Sequence, residues 1–226
     1  MLRDDDDAGD VAARGEIVDA VFAISCRSLP VDHAYALLQA IQAVLPWFAE
    51  EPGAGLHTVH GAASGSGWMR PEGEDALLQL SHRTRLVLRL PRARLDDAAA
   101  LLGRTLEVAG WPLRVDTLAA RPLSRITTLF SRGVVFAAVA DEGAFLAAAR
   151  GALGALDITP QTMLCGRVTQ VATPACCYQT RSLMLAGLTP KQSLALQRQG
   201  LGEARRLGCG LFIPHKGIGD LRARPD

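Results

Sequence analysis

The chain has few of the features that mark secreted, membrane-bound or metal-binding proteins. Its five cysteines form no C-x-x-C pair and no zinc-ligand spacing, and the adjacent Cys176 and Cys177 would close a strained ring if they were bridged. No apolar stretch reaches the roughly 20 residues that span a bilayer, and the acidic N-terminus is unlike the basic start of a signal peptide. We therefore expect a reduced, cytoplasmic protein without a membrane partner, a metal ion or a cofactor.

Aromatic residues and unbalanced charge are also scarce. Aromatic side chains make up 5% of the 226 residues, which argues against a platform on which nucleic-acid bases stack. The formal net charge is +1, which excludes a uniformly basic coat for nucleic acid. Residues 1–15 form an acidic tail that we expect to be disordered. The rest of the chain is therefore net positive, which allows a local basic surface.

The periodicity of apolar residues predicts the same order of elements twice. A strand in "EIVDAVFAIS" is followed by a helix whose apolar face includes Leu37, Leu38 and Ile41, with Asp32 as a suitable cap. Short strands in "LHTVH", "ALLQLS" and "RLVLRLP", a helix over 95–108 and a strand in "PLRVDTLA" complete the first series. A second series of strand, helix, two strands, helix and strand fills the rest of the chain.

The order βαββαβ is that of the split βαβ unit of ferredoxin-like folds. The sequence therefore predicts an α+β protein with two tandem ferredoxin-like, or RRM-like, domains over 16–122 and 123–226. The last helix of the second domain has Thr189 as its predicted cap, Pro190 at its first position and Gln192 at the capping-box spacing. The final strand is predicted within "CGLFIP".

A glycine-rich loop over 200–210, "GLGEARRLGCG", separates the last helix from the final strand. A dinucleotide-binding turn would need a strand before its glycines and a helix after them, and a P-loop would need Lys-Ser or Lys-Thr after the last glycine. Neither requirement is met. The remaining interpretations are a tight turn with solvated arginines, or a loop whose glycines expose N–H groups while Arg205 and Arg206 bind phosphate oxygens.

The loop has the pattern glycine, apolar, glycine, five residues, glycine, apolar, glycine. This pattern resembles the C-terminal glycine-rich loop of the Cas6 family, the CRISPR-associated repeat-processing endoribonucleases of the RAMP superfamily. The segment "LPVDHAYALLQAIQAVLPW" is similar to the first helix of that family, and "DHAYAL", "RSLML" and "GCGLFIPHK" resemble its myxobacterial branch. Together with the double ferredoxin-like layout, the resemblance covers nearly the whole chain.

The resemblance implies a metal-independent endoribonuclease that binds CRISPR repeat RNA (pre-crRNA) and cuts one phosphodiester by attack of the 2′-hydroxyl. It also implies that the enzyme stays on the mature crRNA as a subunit of a type I effector complex. The reaction needs a general base, and histidine suits that role near neutral pH. We favour His57 as the catalytic base, with His33 next and His60 third, and a structural role for His33 is an open alternative.

Basic residues around the last helix and the loop are the predicted RNA-binding residues, because paired RNA is recognised mainly through phosphates and 2′-hydroxyls. The predicted set, which includes the loop glycines, is Gly200, Gly202, Arg205, Arg206, Gly208, Gly210, Arg181, Lys191, Arg198, Arg125, Arg132 and Lys216. Arg83, Arg85 and Arg89 form a further stripe if they alternate on one face of a strand. The alternative functions are a catalytically inactive RNA-binding subunit of the effector complex and an unrelated ferredoxin-like domain.

Overall fold

The chain divides between Pro122 and Leu123 into two compact units. The computed structural model describes residues 16–61, 71, 73, 76–137, 139 and 141–215, so the predicted acidic tail of residues 1–15 lies outside the described residues. Within the described part of the chain, no helix combines the length and the apolar character needed to cross a membrane. All five cysteines are free thiols.

The first unit is built on an antiparallel sheet. Its elements are β1 (Ile17–Ser25), β2 (Ser28–Pro30), α1 (Ala34–Val44), β3 (Gly55–His57), β4 (Leu77–Gln79), β5 (Arg85–Pro91), α2 (Leu95–Ala98), β6 (Thr105–Val108) and β7 (Trp111–Pro122). The main sheet has the strand order β3-β5-β1-β7-β6, and β2 and β4 form a separate pair. With helices after β1 and β5, the strands β1, β3, β5 and β7 follow the βαββαβ order.

Successive side chains of β1 point to opposite faces of this sheet. Val18, Ala20 and Phe22 are fully buried on one face, whereas Asp19 points to the opposite face. The helix α1 buries Ala34, Leu37, Leu38 and Ile41, as its predicted apolar face requires. Although Asp19 lies on the face opposite the apolar core, it is only 4% exposed. Its carboxylate is therefore buried.

The second unit repeats the order with fewer additions. Its elements are β8 (Leu129–Val134), α3 (Glu142–Gly154), β9 (Thr162–Ala172), β10 (Cys177–Ala186), α4 (Pro190–Gln199) and β11 (Ile213–Pro214). The sheet has the order β11-β8-β10-β9, and all neighbouring strands are antiparallel. One core cluster includes residues of both helices, of β8 and β10 and of the segment before β11, namely Leu129, Phe145, Leu183, Leu196 and Phe212.

The boundaries of α4 agree with the prediction at both ends. The Gln192 N–H donates to the Thr189 hydroxyl at 3.2 Å, and the Thr189 N–H donates to the Gln192 side-chain oxygen at 3.0 Å. Pro190 is the first helical residue, and the helix ends at Gly200. The capping box is therefore confirmed, because the signals that set it lie within four consecutive residues.

The predicted helix over 95–108 is wrong in length. Only Leu95–Ala98 is α-helical, and a short 3-10 turn ends at Leu101. Gly103 then adopts a φ of +73°, which ends the helical path, and Thr105–Val108 forms β6 against β7. The alternation of buried Leu106 and Val108 with exposed neighbours is the strand signal that the prediction missed.

Three smaller predictions also differ from the structure. Asp32 is not the cap of α1, because His33 occupies the N-cap position and no side chain makes a capping hydrogen bond there. The strand predicted in "LHTVH" ends at His57. The final strand is limited to Ile213–Pro214, because the preceding residues belong to the closed glycine-rich loop and to the core.

The turn between β6 and β7 gives a stability prediction. Ala109 and Gly110 both have positive φ values, 53° and 82°, as in the mirror-image turns that favour Asn-Gly. A left-handed alanine costs about 1 kcal/mol, so we expect Ala109→Asn to raise the free energy of unfolding by about 0.5–1 kcal/mol. Ala109→Val should lower it. Thermal unfolding of both variants tests this, and equal melting temperatures would contradict it.

Candidate active site and nucleic-acid interface

The glycine-rich loop is closed by backbone hydrogen bonds. The Gly200 N–H donates back into α4 at 2.8 Å, and the Gly208 N–H donates to the Arg205 carbonyl at 3.2 Å. The Gly210 N–H donates to the carbonyl of Gly133 at the end of β8, at 2.7 Å. These three donors are used within the unit, which favours the tight-turn interpretation at Gly200, Gly208 and Gly210. Contact of the loop glycines with RNA stays a prediction.

Close backbone contact explains why glycine occupies the loop positions. A Cβ atom at Gly202 would collide with the Val135 carbonyl oxygen, and one at Gly210 would collide with the Leu201 carbonyl oxygen. Gly200 has φ 72° and ψ −168°, a conformation that is essentially restricted to glycine. The loop is therefore a packed element of the second unit, and its glycines are required by its own geometry.

The two loop arginines are half-buried. The Arg205 guanidinium lies over Gly200, since a Cβ there would be 2.7 Å from Arg205 Nη1. The Nε and Nη2 atoms of Arg205 and the Nε atom of Arg206 are shielded from solvent. Neither arginine is a freely solvated side chain, so contact with RNA would use only the part of each guanidinium that reaches the surface. Their role in RNA binding remains a prediction.

The other predicted RNA-binding residues differ in exposure. Arg125, Arg132, Lys191 and Arg198 are exposed on the second unit, and Lys216 lies outside the described residues. Arg181 is part-buried: it lines a cavity of about 580 Å³ and lies 3.8 Å from the Glu142 carboxylate. Arg181 is thus less exposed than the other four predicted RNA-binding residues described outside the loop.

Two buried polar side chains of α4 hold the segment that carries Arg125. The Gln197 side chain accepts a hydrogen bond from the Ser124 N–H at 3.2 Å and donates one to the Ser124 carbonyl at 2.6 Å. The Ser193 hydroxyl donates to the Ile126 carbonyl at 2.6 Å. This pairing fixes Arg125 on the outside of the second unit. Sequence reasoning missed Ser193 and Gln197, although two polar residues at helical spacing on a buried face were the available signal.

His33 is bound through both ring nitrogens. Its Nδ1 lies 2.8 Å from the Pro30 carbonyl, and the Val59 N–H donates to its Nε2 at 3.0 Å. These contacts define a neutral ring with its proton on Nδ1, and the residue is 2% exposed. A base whose lone pair already accepts a backbone hydrogen bond cannot take a second proton without breaking that bond. The geometry favours the structural alternative for His33.

A buried charge cluster lies beside His57 on the sheet of the first unit. Arg89, which is fully buried, donates from Nε to Asp19 Oδ1 at 2.8 Å and from Nη2 to Oδ2 at 3.3 Å. Arg121 donates to Asp19 Oδ2 at 3.1 Å. His57 Nε2 lies 3.8 Å from Asp19 Oδ1, and its side chain is 17% exposed. The cluster places an anion next to a histidine that still reaches the surface.

Opposing effects act on the Asp19 carboxyl group. Burial tends to raise its pKa, but the charge and hydrogen bonds of Arg89, with smaller contributions from His57 and Arg121, outweigh burial and hold the pKa below its usual value. Asp19 is therefore ionised at neutral pH. Sequence reasoning missed it, because nothing in the local pattern around residue 19 distinguishes it from a solvated strand residue.

The predicted arginine stripe on β5 is wrong. Arg83 is exposed but precedes the strand in a turn, and Arg89 is buried against Asp19, so Arg85 is the exposed arginine within β5. The arginines have the spacing of one strand face, but Arg89 contacts the carboxylate of Asp19 on the neighbouring strand β1. The Arg85 guanidinium itself donates to two carbonyls of the preceding turn.

The remaining histidines have less support as catalytic groups. His60 Nε2 lies 3.0 Å from the Thr58 hydroxyl, His82 is exposed in a turn, and the His215 ring packs on Phe130 with centroids 5.8 Å apart. Among the residues that the structure describes, no group of three His, Cys, Asp or Glu side chains is arranged to hold a metal ion. His57 is the candidate base with a charged partner.

Two split βαβ units follow one another along the chain and give a double ferredoxin-like fold, with a packed glycine-rich loop before the last strand. A solved structure of a "CRISPR associated protein Cas6" has a TM-score of 0.60 and 10% identity, and the match covers 89% of this chain and 100% of that one. A "RAMP protein binding different RNA substrates" has a TM-score of 0.57 and 12% identity, with coverage of 87% and 98%. These similarities confirm the predicted fold.

Sequence comparison gives the family. The Cas6 CRISPR family model matches residues 18–217. The "CRISPR-associated endonuclease Cas6" of Myxococcus xanthus (strain DK1622) is 34% identical over 197 residues, which cover 87% of this chain and 81% of that protein. The chain belongs to the Cas6 family, as its loop pattern and helix segments predicted.

Proposed function

We propose that this chain binds CRISPR repeat RNA and cleaves it as an endoribonuclease to give crRNA. The observation that carries the proposal is the 34% identity to a CRISPR-associated endonuclease over nearly the whole chain. The double ferredoxin-like fold is compatible with it, since one protein of similar fold is described as binding RNA substrates. A net positive chain outside the acidic N-terminus supplies the charge that phosphate binding needs.

The reaction that we propose needs no metal. The 2′-oxygen forms a bond to the adjacent phosphorus, the bond from phosphorus to the 5′-oxygen breaks, and His57 takes the proton of the 2′-hydroxyl. The leaving 5′-oxygen takes a proton from an acid, which solvent can supply. The products are a 2′,3′-cyclic phosphate and a 5′-hydroxyl. His57 is preferred to His33 because its ring has an anionic partner, whereas both nitrogens of His33 bind backbone groups.

The RNA surface that we propose lies on the second unit. The exposed residues Arg125, Arg132, Lys191 and Arg198 bind phosphates, with Arg205 and Arg206 as contributors from the edge of the packed loop. Arg198→Ala should weaken RNA binding at low salt and reduce its salt dependence by about one phosphate contact. Arg104, an exposed arginine of the first unit, gives the matched control Arg104→Ala.

The proposal is tested with end-labelled RNA that carries the CRISPR repeat of the same locus, in buffer with EDTA. We expect one cut with a cyclic-phosphate end, and a loss of cutting on the order of 100-fold or more in His57→Ala with RNA affinity retained. His82→Ala, an exposed histidine in a turn, should cut normally. His33→Ala should instead lower the melting temperature, because it leaves the Val59 N–H and the Pro30 carbonyl without their bond to the ring.

The possible outcomes separate the candidate functions. Tight RNA binding without a cut by the unmodified protein would favour the catalytically inactive subunit, and neither binding nor cutting would refute the proposed function. Cleavage that requires added Mg²⁺ would refute metal independence. We also propose that the protein stays on its product as a subunit of a type I effector complex. Product formation that stops at one equivalent per enzyme would support retention of the product.

A further inference from the structure

Asp19 is held in a fixed position in the middle of the first sheet. It lies on β1 opposite Arg89 of β5 and opposite Arg121 of β7, which are its cross-strand partners. Three hydrogen bonds from these two arginines, between 2.8 and 3.3 Å, bind both carboxylate oxygens. Because the carboxylate cannot turn without losing them, its oxygens keep one place beside the His57 ring, whose Nε2 lies 3.8 Å from Oδ1.

We infer that Asp19 is a positioning residue that orients the His57 imidazole and stabilises its protonated form. This inference rests on the proposed function in one respect, the role of His57 as the base. A base that accepts the 2′-hydroxyl proton becomes an imidazolium, and a nearby carboxylate stabilises that charge. The distance of 3.8 Å is longer than a hydrogen bond, but catalytic contacts often shorten when the substrate binds.

Charged groups on three strands determine how readily the His57 imidazole is protonated. Asp19 on β1 favours the imidazolium, whereas Arg89 on β5 and Arg121 on β7 oppose it and limit the effect of the carboxylate. Arg85, the other arginine on this face of β5, is directed to two turn carbonyls. Removing the anion and removing one of the cations should therefore shift the protonation of His57 in opposite directions.

The test is an NMR titration of the His57 Cε1–H signal in the whole protein without RNA. Asp19→Asn keeps the size of the side chain and removes its charge, so the titration midpoint of His57 should move to lower pH. Arg121→Gln removes a cation whose side chain is 58% exposed, so the midpoint should move to higher pH. The His82 signal, from an exposed turn, serves as the internal control and should not change.

Cleavage provides a second measurement. Asp19→Asn should reduce the single-turnover rate by about tenfold or more at neutral pH and leave RNA affinity unchanged. If the His57 midpoint is the same in the unmodified protein and in Arg121→Gln, the inference is overturned, even if Asp19→Asn does not fold. Opposite shifts in a protein that never cuts RNA would support the coupling between Asp19 and His57 and place the failure in the proposed function.

Discussion

Replacing Gly210 by alanine is expected to destabilise the second unit by about 2–5 kcal/mol. Two effects add at this position. Gly210 has a φ of +66°, which costs a side chain about 1 kcal/mol or more, and a Cβ atom would run into the Leu201 carbonyl oxygen. Relief of that collision would break the hydrogen bond from the Leu201 N–H to the Gly210 carbonyl and the bond from the Gly210 N–H to Gly133. Urea unfolding measures the loss.

A matched control separates strain from collision. Gly103 has a similar φ of +73°, but a Cβ atom there would meet nothing within 4 Å. Gly103→Ala should therefore cost only the strain of about 1 kcal/mol. If the two variants lost the same stability, the close packing of the loop would not be the reason for its glycines. We also expect Gly210→Ala to lose RNA affinity, because Arg205 and Arg206 are positioned by the closed loop.

The glycine-rich loop shows what sequence patterns can and cannot predict. Residues close together in the chain predict that the loop follows α4 and begins at Gly200. They also carry its resemblance to the family. Its packing is not, because the backbone groups that it meets belong to Gly133 and Val135, far away in sequence. Because the sequence does not reveal those partners, the glycines could be interpreted as exposing N–H groups that donate to phosphate.

The candidate site follows the same division. His57 could be selected from the sequence as a histidine in a strand, and the strands of the βαββαβ order were predicted in sequence, whereas β2 and β6 were not predicted. Asp19 and Arg89 could not be linked, since their contact depends on the register between β1 and β5, which a single sequence does not specify. Because of the same register, Arg89 forms a buried ion pair with Asp19 and is not part of an RNA-binding arginine stripe.

The ion pair between Arg89 and Asp19 gives the second large prediction. Arg89→Met removes the cation and leaves a buried carboxylate with only the exposed Arg121 as a paired arginine, so we expect a loss of about 3–5 kcal/mol at pH 7. Asp19→Leu combined with Arg89→Met removes both charges and should be more stable than Arg89→Met alone. Part of the loss should remain, because Arg89 also makes other contacts.

The effect of pH on these variants has a definite sign. The pKa of Asp19 is lowered in the folded protein, so its ion pair stabilises the fold fully above the unfolded value of 3.8 and progressively less as pH falls through the folded value. The difference in unfolding free energy between the unmodified protein and Arg89→Met should therefore shrink in acid, because burial raises the pKa of Asp19 and the variant lacks Arg89, which lowers it, so the variant's carboxyl takes up its proton first. Urea unfolding at pH 7 and in acid measures it. A difference that stays constant or grows in acid would mean that Arg89 stabilises the sheet by packing and not by its charge.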